Sequence, residues 1–312
     1  MADLQYRLSA VLPGAPVDED GVFGPATAAA VEAFQRLRGL RVDGICGIQT
    51  WSTLVEAGFR VGDRFLYRRR PMLRGDDVAE LQQRLCTLGF DTGRVDGIFG
   101  DDTGRALAEF QRNAGIPIDG IVGAVTLREL RRLEHRSRQP ELVSAVRARA
   151  ALRNTPPSLR GRHVAVGESG GLGSVTGALR RCLASTGTLV TELHHPDDSV
   201  RAGEVNQLGA DVYVGLRLNP SARSCRSAFW SGVHDESPGG RRLAQLVQAV
   251  LPTELGVSDG GVLGMSVPIL RETRMPAVVV EVGPASVVVE RAPSLAQALS
   301  VALAQWADTS WD

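Results

Sequence analysis

The chain contains no lysine: its 35 basic side chains are all arginine, and 35 aspartates and glutamates balance them. Zero net charge removes the electrostatic reason to expect nucleic acid or an anionic membrane as a partner. The arginine usage reads as compositional bias, with no mechanism attached. Cysteine is scarce. Cys46, Cys86, Cys182 and Cys225 lie far apart with no CxxC pair, which argues against a disulfide framework and a metal cluster and in favour of free thiols. No apolar run approaches the roughly 20 residues that cross a bilayer. Residues 1–10 lack the basic and apolar regions of a signal peptide, so the chain as it stands is expected in the cytoplasm. What is present is 43% hydrophobic content in 312 residues, enough for two or three domains with cores.

Internal repetition organises the first half. Asp20-Gly21-Val22-Phe23-Gly24 recurs as Asp96-Gly97-Ile98-Phe99-Gly100, and Phe34-Gln35-Arg36 as Phe110-Gln111-Arg112, both displaced by 76 residues. The same shift carries Val42-Asp43-Gly44-Ile45-Cys46-Gly47 onto Ile118-Asp119-Gly120-Ile121-Val122-Gly123. Leu4-Gln5-Tyr6-Arg7-Leu8 matches Leu81-Gln82-Gln83-Arg84-Leu85 at a shift of 77, so one residue was gained or lost in between. Each copy reads as three helices joined by turns. In the middle helix Ala30, Val31 and Phe34, and again Ala106, Leu107 and Phe110, form a buried stripe. Gly24-Pro25 predicts one helix start, and Asp101-Asp102 predicts a side-chain cap at the other. The Asp-Gly pairs supply a local acceptor followed by a residue free to take positive φ, which points to fold maintenance.

These motifs resemble the peptidoglycan-binding domain found beside cell-wall hydrolases, a three-helix bundle. The resemblance implies that Asp20, Gly21, Gly24, Phe34, Gln35, Asp43 and Gly44, with Asp96, Gly97, Gly100, Phe110, Gln111, Asp119 and Gly120, belong to the binding motifs. It also implies a murein glycan or stem peptide in a groove near the second and third helices. Copy one departs from the family pattern at Pro13-Gly14-Ala15-Pro16, which puts its groove in question. The copies are expected over 1–60 and 74–134. Between them, Tyr67-Arg68-Arg69-Arg70-Pro71 reads as a solvated basic connector. An arginine-rich, helix-compatible linker over 135–160 ends at Asn154-Thr155-Pro156-Pro157, where the prolines mark a domain boundary.

Beyond residue 161 the pattern alternates. Strands are expected over 163–166, 188–193, 211–218 and 277–282, and helices over 174–185, 239–251 and 294–306. This predicts an α/β domain with a mostly parallel central sheet over 161–307. The segments Gly209 through Asn219 and Met275 through Gly283 resemble the zinc-dependent N-acetylmuramoyl-L-alanine amidases. The overall fold class expected is therefore multidomain, with two all-α three-helix modules before an α/β amidase-like domain.

Active amidases of that family hold zinc with two histidines and a glutamate, and a second glutamate handles protons. Matched residue by residue, Ser169 stands at the first histidine position and Arg217 at the second. The segment that should carry the ligand glutamate is shortened, and only Glu281 matches the catalytic glutamate, as a vestige. A permanently charged guanidinium repels a metal ion, so no metal or other cofactor is expected, and zinc only if the chain is active. His194 and His195 are adjacent and point to opposite faces of an extended segment, and His234 stands alone, so neither rebuilds a site. Glu168 is near enough in sequence to reach the pocket. Arg217 and Glu281 are expected to pair with each other and plug it.

The resemblance implies a cytoplasmic pseudoenzyme that regulates peptidoglycan synthesis by binding peptidoglycan fragments, precursors or proteins. The implied protein partners are the enolpyruvyl transferase of the first committed step and the lipid-linked precursor flippase. An active zinc amidase and a plain wall-binding adaptor are the alternatives. The polar tail 308–312 reads as frayed, with Thr309 or Ser310 as a candidate phosphorylation target.

Overall fold

In the first module α1 (Ala2–Val11), α2 (Pro25–Leu37) and α3 (Ile48–Glu56) close on Leu4, Leu8, Val31, Phe34 and Leu54. Pro25 opens α2 because its locked φ suits a first turn and its missing N–H would have found no partner there. The computed structural model describes residues 1–14, 17, 20–134, 143–155, 157–220, 222–233 and 235–311. They form two units, Met1–Ala148 with Val233–Asp235, and Arg149–Gly232 with Glu236–Asp312.

The second module adds strand β1 (Leu66–Tyr67) before α4 (Asp76–Thr87) and α5 (Asp101–Asn113), and β2 (Ile121–Val122) before α6 (Ala124–Glu134). Its core is Leu81, Leu85, Phe99, Leu107, Phe110 and Leu130, with Phe90 set edge-on to Phe110 at 5.6 Å. The side-chain cap expected from Asp101-Asp102 is not formed. Gly100 is the N-cap, and both aspartates lie in the first turn, where negative charge suits the helix dipole.

Residues 67–71 are solvent-exposed, as the sequence predicts for a connector, but the segment is anchored at both ends, which the sequence does not predict. β1 pairs antiparallel with β2, Leu66 opposite Val122 and Tyr67 opposite Ile121. Further on, Phe99 N donates to Leu73 O at 2.9 Å and Gly75 N to Gly97 O at 3.1 Å. Leu66 and Leu73 are buried in the module core, and each such side chain contributes roughly 1.5–3 kcal/mol. The arginines between them stay outside, and Arg68 meets Asp101 at 2.8 Å.

Helix α7 (Val143–Arg153) leads to the second unit. There β3 (His163–Glu168), α8 (Gly173–Ala184), β4 (Leu189–Leu193), α9 (Asp198–Leu208) and β5 (Val212–Leu218) come first. They are followed by β6 (Ser224–Trp230), α10 (Pro238–Leu255), β7 (Ser258–Met265), α11 (Pro268–Glu272), β8 (Ala277–Val282), α12 (Ala285–Glu290) and α13 (Ala292–Ala307). The six-stranded sheet runs β4-β3-β5-β8-β6-β7, and only the β6–β8 pairing is antiparallel. One face buries Val164, Val214 and Val278 under Leu179 of α8, Leu243 and Val247 of α10, and Leu299 of α13. The other face packs Ala165, Tyr213 and Val279 against Ala202 and Val205 of α9 and Ile269 of α11. The mostly parallel α/β architecture agrees with the alternation read from the sequence.

The tail is docked where the sequence predicts fraying. Trp311 meets Trp306 edge-on at 6.4 Å, and Arg153 Nε donates to Trp311 O at 2.6 Å. Thr309 Oγ1 donates to Gln305 O at 3.0 Å. Expectations for Ala15, Pro16, Pro156, His234 and residues 135–142 lie outside the described residues. All four cysteines are free. Among the described residues no helix is long and apolar enough to cross a membrane.

Candidate functional site

In an open parallel sheet, ligand chemistry gathers beyond the carboxyl ends of the strands. Here β3 ends at Glu168, β5 carries Arg217 next to its end, and β8 carries Glu281. Helix α9 faces them. Asp197 starts it by accepting from Ser199 N at 2.8 Å and Val200 N at 3.0 Å. That cap puts Asp198 in the first turn and Arg201 one turn later.

Arg201 is only 2% exposed. It donates to Glu168 O at 2.7 Å and to Ser169 Oγ at 3.3 Å, and its other nitrogen meets Asp198. The second oxygen of Asp198 receives Arg217. One carboxylate thus lies between two guanidiniums, those of Arg201 and Arg217, and Arg201 in turn reaches Ser169. Ser169 and Arg217 belong to one cluster, and Asp198 and Arg201 are members of it that the sequence reading missed. The signal for them was Pro196-Asp197-Asp198-Ser199, a helix start that reads superficially as loop.

The expected Arg217–Glu281 pair does not form. The two are Cα partners across β5 and β8, yet Glu281 pairs with Arg226 at 2.6 Å. Arg226 lies directly opposite Glu281 on the antiparallel side, so each charge meets a different partner. Glu168 also turns away from the pocket. It accepts from Gly170 N at 2.7 Å, Leu172 N at 3.1 Å and His194 Nδ1 at 3.2 Å. Burial works to raise its carboxyl, but the two amides and His194 outweigh it and hold Glu168 below its ordinary value. His195 serves separately, accepting from Asp197 N at 3.0 Å.

Beneath the cluster Tyr213 fills the space against β3 so tightly that a Cβ on Gly167 would fall 2.1 Å from its hydroxyl oxygen. Burial pushes its phenol up to about 12. Zinc, the metal the family resemblance implies, needs several anionic or neutral donors and an open position. The residues at this place are a hydroxyl and two guanidiniums around one carboxylate, and they do not fit it. Among the described residues no three His, Cys, Asp or Glu side chains are arranged to hold a metal.

The helical modules contain four copies of one buried knot. Gln35 Nε2 donates to Asp43 Oδ1 at 2.8 Å, Ile45 O at 3.0 Å and Thr50 Oγ1 at 3.1 Å, while Gly44 N donates to its Oε1 at 3.0 Å. Gln111 repeats this with Asp119, Ile121, Thr126 and Gly120. Gln5 repeats it with Asp20, Val22, Thr27 and Gly21, and Gln82 with Asp96, Ile98, Thr103 and Gly97. Gly21, Gly44, Gly97 and Gly120 take φ of 74°, 70°, 73° and 67°, where a side chain would be strained. Phe34 and Phe110 are buried in the helical cores. The motif residues therefore use their hydrogen bonds and surfaces to hold loops in place. A ligand meets what those loops present.

The two modules present different surfaces. In the first, Phe23, Gly44, Ile45, Cys46 and Trp51 line a groove of about 390 Å³ with Leu4 and Asp3. Phe23 is 41% exposed, whereas its counterpart Phe99 is 0% exposed beneath the inter-module segment. Trp51 is exposed and its counterpart Leu127 is buried. The module whose groove the sequence puts in question is the open one.

The family model described as "Putative peptidoglycan binding domain" matches residues 1–54 and 74–130, one match per module. The N-acetylmuramoyl-L-alanine amidase CwlM of Mycobacterium tuberculosis is 36% identical over 285 residues, covering 81% of this chain and 70% of that protein. A spore cortex-lytic enzyme of Bacillus cereus is 56% identical over 52 residues, 17% of this chain and 20% of that enzyme. The crystal structure of the amidase Ami1 of Mycobacterium smegmatis covers 48% of this chain and 98% of its own, at 15% identity and a TM-score of 0.42. Two peptidoglycan-binding modules ahead of an amidase-like α/β domain define the class. The chain belongs to the N-acetylmuramoyl-L-alanine amidase family, with the architecture of its CwlM type.

Proposed function

We propose that this protein is a non-hydrolysing amidase homologue that acts by binding, in the control of peptidoglycan synthesis. The observation that supports this best is Asp198 held between Arg201 and Arg217, with Ser169 and Arg217 standing at the positions of the family's histidines. Two fixed guanidiniums favour an anion there and disfavour a dication. A lining that disfavours the dication would supply neither a Lewis acid nor an activated water for amide cleavage, and Glu281 is committed to Arg226. On this reading the modules retain recognition, and their targets are peptidoglycan fragments, cytoplasmic precursors or the proteins that handle those precursors.

Atomic emission on the purified chain, combined with muropeptide release from murein, tests the reading. Zinc below stoichiometry with no released fragments is expected. One zinc per chain together with fragments cut between muramic acid and L-alanine would assign it as an active amidase instead. Sedimentation with insoluble murein measures binding independently of cleavage.

A further inference from the structure

The duplicated module contains its own example of a bound strand. On the second copy, residues 65–75 cross two loops in two short stretches on either side of a bend at Arg70–Pro71: β1 pairs with Ile121–Val122, and Leu73 and Gly75 bond to Phe99 and Gly97. Leu66 and Leu73 drop into the core, and Arg68 stays outside on Asp101. Nothing in the described residues covers the same two loops of the first copy. Val22 is 62% exposed where Ile98 is 7%, and Ile45, the counterpart of β2's Ile121, stands further into solvent than Ile121 does.

The loops themselves have the same shape in both copies, because each is held by its glutamine knot. Gln5 fixes the Asp20–Val22 loop and Gln35 the Asp43–Ile45 loop, with the same donors and acceptors as Gln82 and Gln111. The first copy is therefore preorganised for a strand, and among the described residues none lies on it. Its charge differs in a useful way. Glu32, which stands where the second copy has Ala108, lies against Gly44 beside Asp43 and adds a carboxylate at the second loop. Arg7 beside Trp51 is paired with Asp3 and lies 5.7 Å from the Trp51 ring.

We propose that the first module takes an extended peptide strand of a partner protein. The strand places aliphatic side chains between Phe23 and Trp51, carries arginines on its outer side, and pairs with the Ile45–Cys46 backbone as β1 pairs with β2. Main-chain pairing supplies affinity and the aliphatic pockets supply selectivity, as in other cases of strand addition. This assignment does not depend on the loss of hydrolysis. The groove is shaped for a strand whether or not the second unit cleaves murein.

The probe is a synthetic peptide with the sequence of residues 64–75 of this chain, titrated into the full-length protein and followed by calorimetry and tryptophan fluorescence. One saturable site at roughly micromolar affinity is expected. Ile45→Asp and Phe23→Ser, both at exposed positions, should weaken it by about tenfold or more without changing the circular dichroism. A peptide with Asp in place of its first leucine should fail to bind. Equal binding of a scrambled peptide of the same charge, or unchanged binding by Ile45→Asp, would overturn the proposal. So would a concentration-dependent dimer abolished by Ile45→Asp, which would assign the groove to a second copy. Soluble murein fragments that bind at Trp51 while the peptide does not would assign it to glycan. Metal content and murein digestion are read separately, so either proposal can fail alone.

Discussion

Arg217 and Glu281 lie side by side as Cα partners across β5 and β8, and their side chains go to different counter-charges, Asp198 and Arg226. Proximity of opposite charges along a sheet does not decide pairing when each has another partner within reach. The two pairs are about equally exposed, and what sets their energetic weight apart is Arg201, a nearly fully buried cation that shares Asp198.

Removing Asp198 leaves Arg201, a nearly fully buried cation, facing Arg217 with no carboxylate between them. Asp198→Ala should destabilise the second unit by about 3 kcal/mol, since a stranded buried charge keeps its desolvation cost. Glu281→Gln breaks a pair whose arginine is 38% exposed, and should cost less than about 1 kcal/mol. Urea titration of the two variants checks the ranking. Equal costs would show that the Arg201–Asp198–Arg217 cluster is solvated rather than buried.

Gln111 offers a second test. Its amide is fully buried and serves Asp119, Ile121, Thr126 and Gly120 together. Gln111→Ala strands several of these groups and opens a cavity, so the second module should lose roughly 3 kcal/mol. Hydrogen exchange at Gly120 and Ile121 should accelerate first, because the glutamine holds their loop. Unchanged protection there would mean that the loop is held by something other than the knot.

How much of this is legible in the sequence varies with the range of the interactions. The modules are visible because Phe34 and Phe110, with their Asp-Gly partners, repeat at a fixed spacing, and local turns fold locally. The fourfold knot is half visible, since Gln5 and Gln82 read only as helix residues. Strand β1 is hidden because Leu66 and Leu73 are separated by an arginine run, and their burial depends on a partner far along the chain. Strands β6 and β7 carry little β-branched sequence and are defined by pairing with β8 and with each other. At the site, Ser169, Arg217 and Glu281 are singled out by a family resemblance in position, but which charges meet depends on α9, whose first turn reads as loop.

Glu168 gives the cluster a pH dependence. Its folded carboxyl lies below its ordinary value of 4.5, so the unfolded chain holds the proton more tightly. The stability it contributes is fully present above 4.5 and is lost as pH falls from there through the lower folded value. Glu168→Gln should flatten the acid limb of the second unit's stability curve while leaving the neutral region offset by a constant. Denaturant midpoints from about pH 7 downward read this directly. An acid limb unchanged in the variant would move the titration to other carboxylates, with Asp197, also lowered by its capping amides, the first to examine.

The last prediction concerns rebuilding the metal centre. Ser169→His with Arg217→His restores the two histidine positions and removes one guanidinium, so sequence matching alone would expect zinc. The structure leads to the opposite expectation. Arg201 remains, held by Glu168 O and by Asp198, and its charge stands beside position 169. Glu168, the carboxylate nearest position 169 in sequence, is occupied by two backbone amides and His194. Two imidazoles next to a buried cation make a weak zinc site. The double variant should stay substoichiometric in zinc by atomic emission, and adding Arg201→Leu should raise its zinc content by relieving that repulsion. Stoichiometric zinc in the double variant would show that histidines at 169 and 217 suffice for a metal site, and that the arginine cluster is no barrier to one.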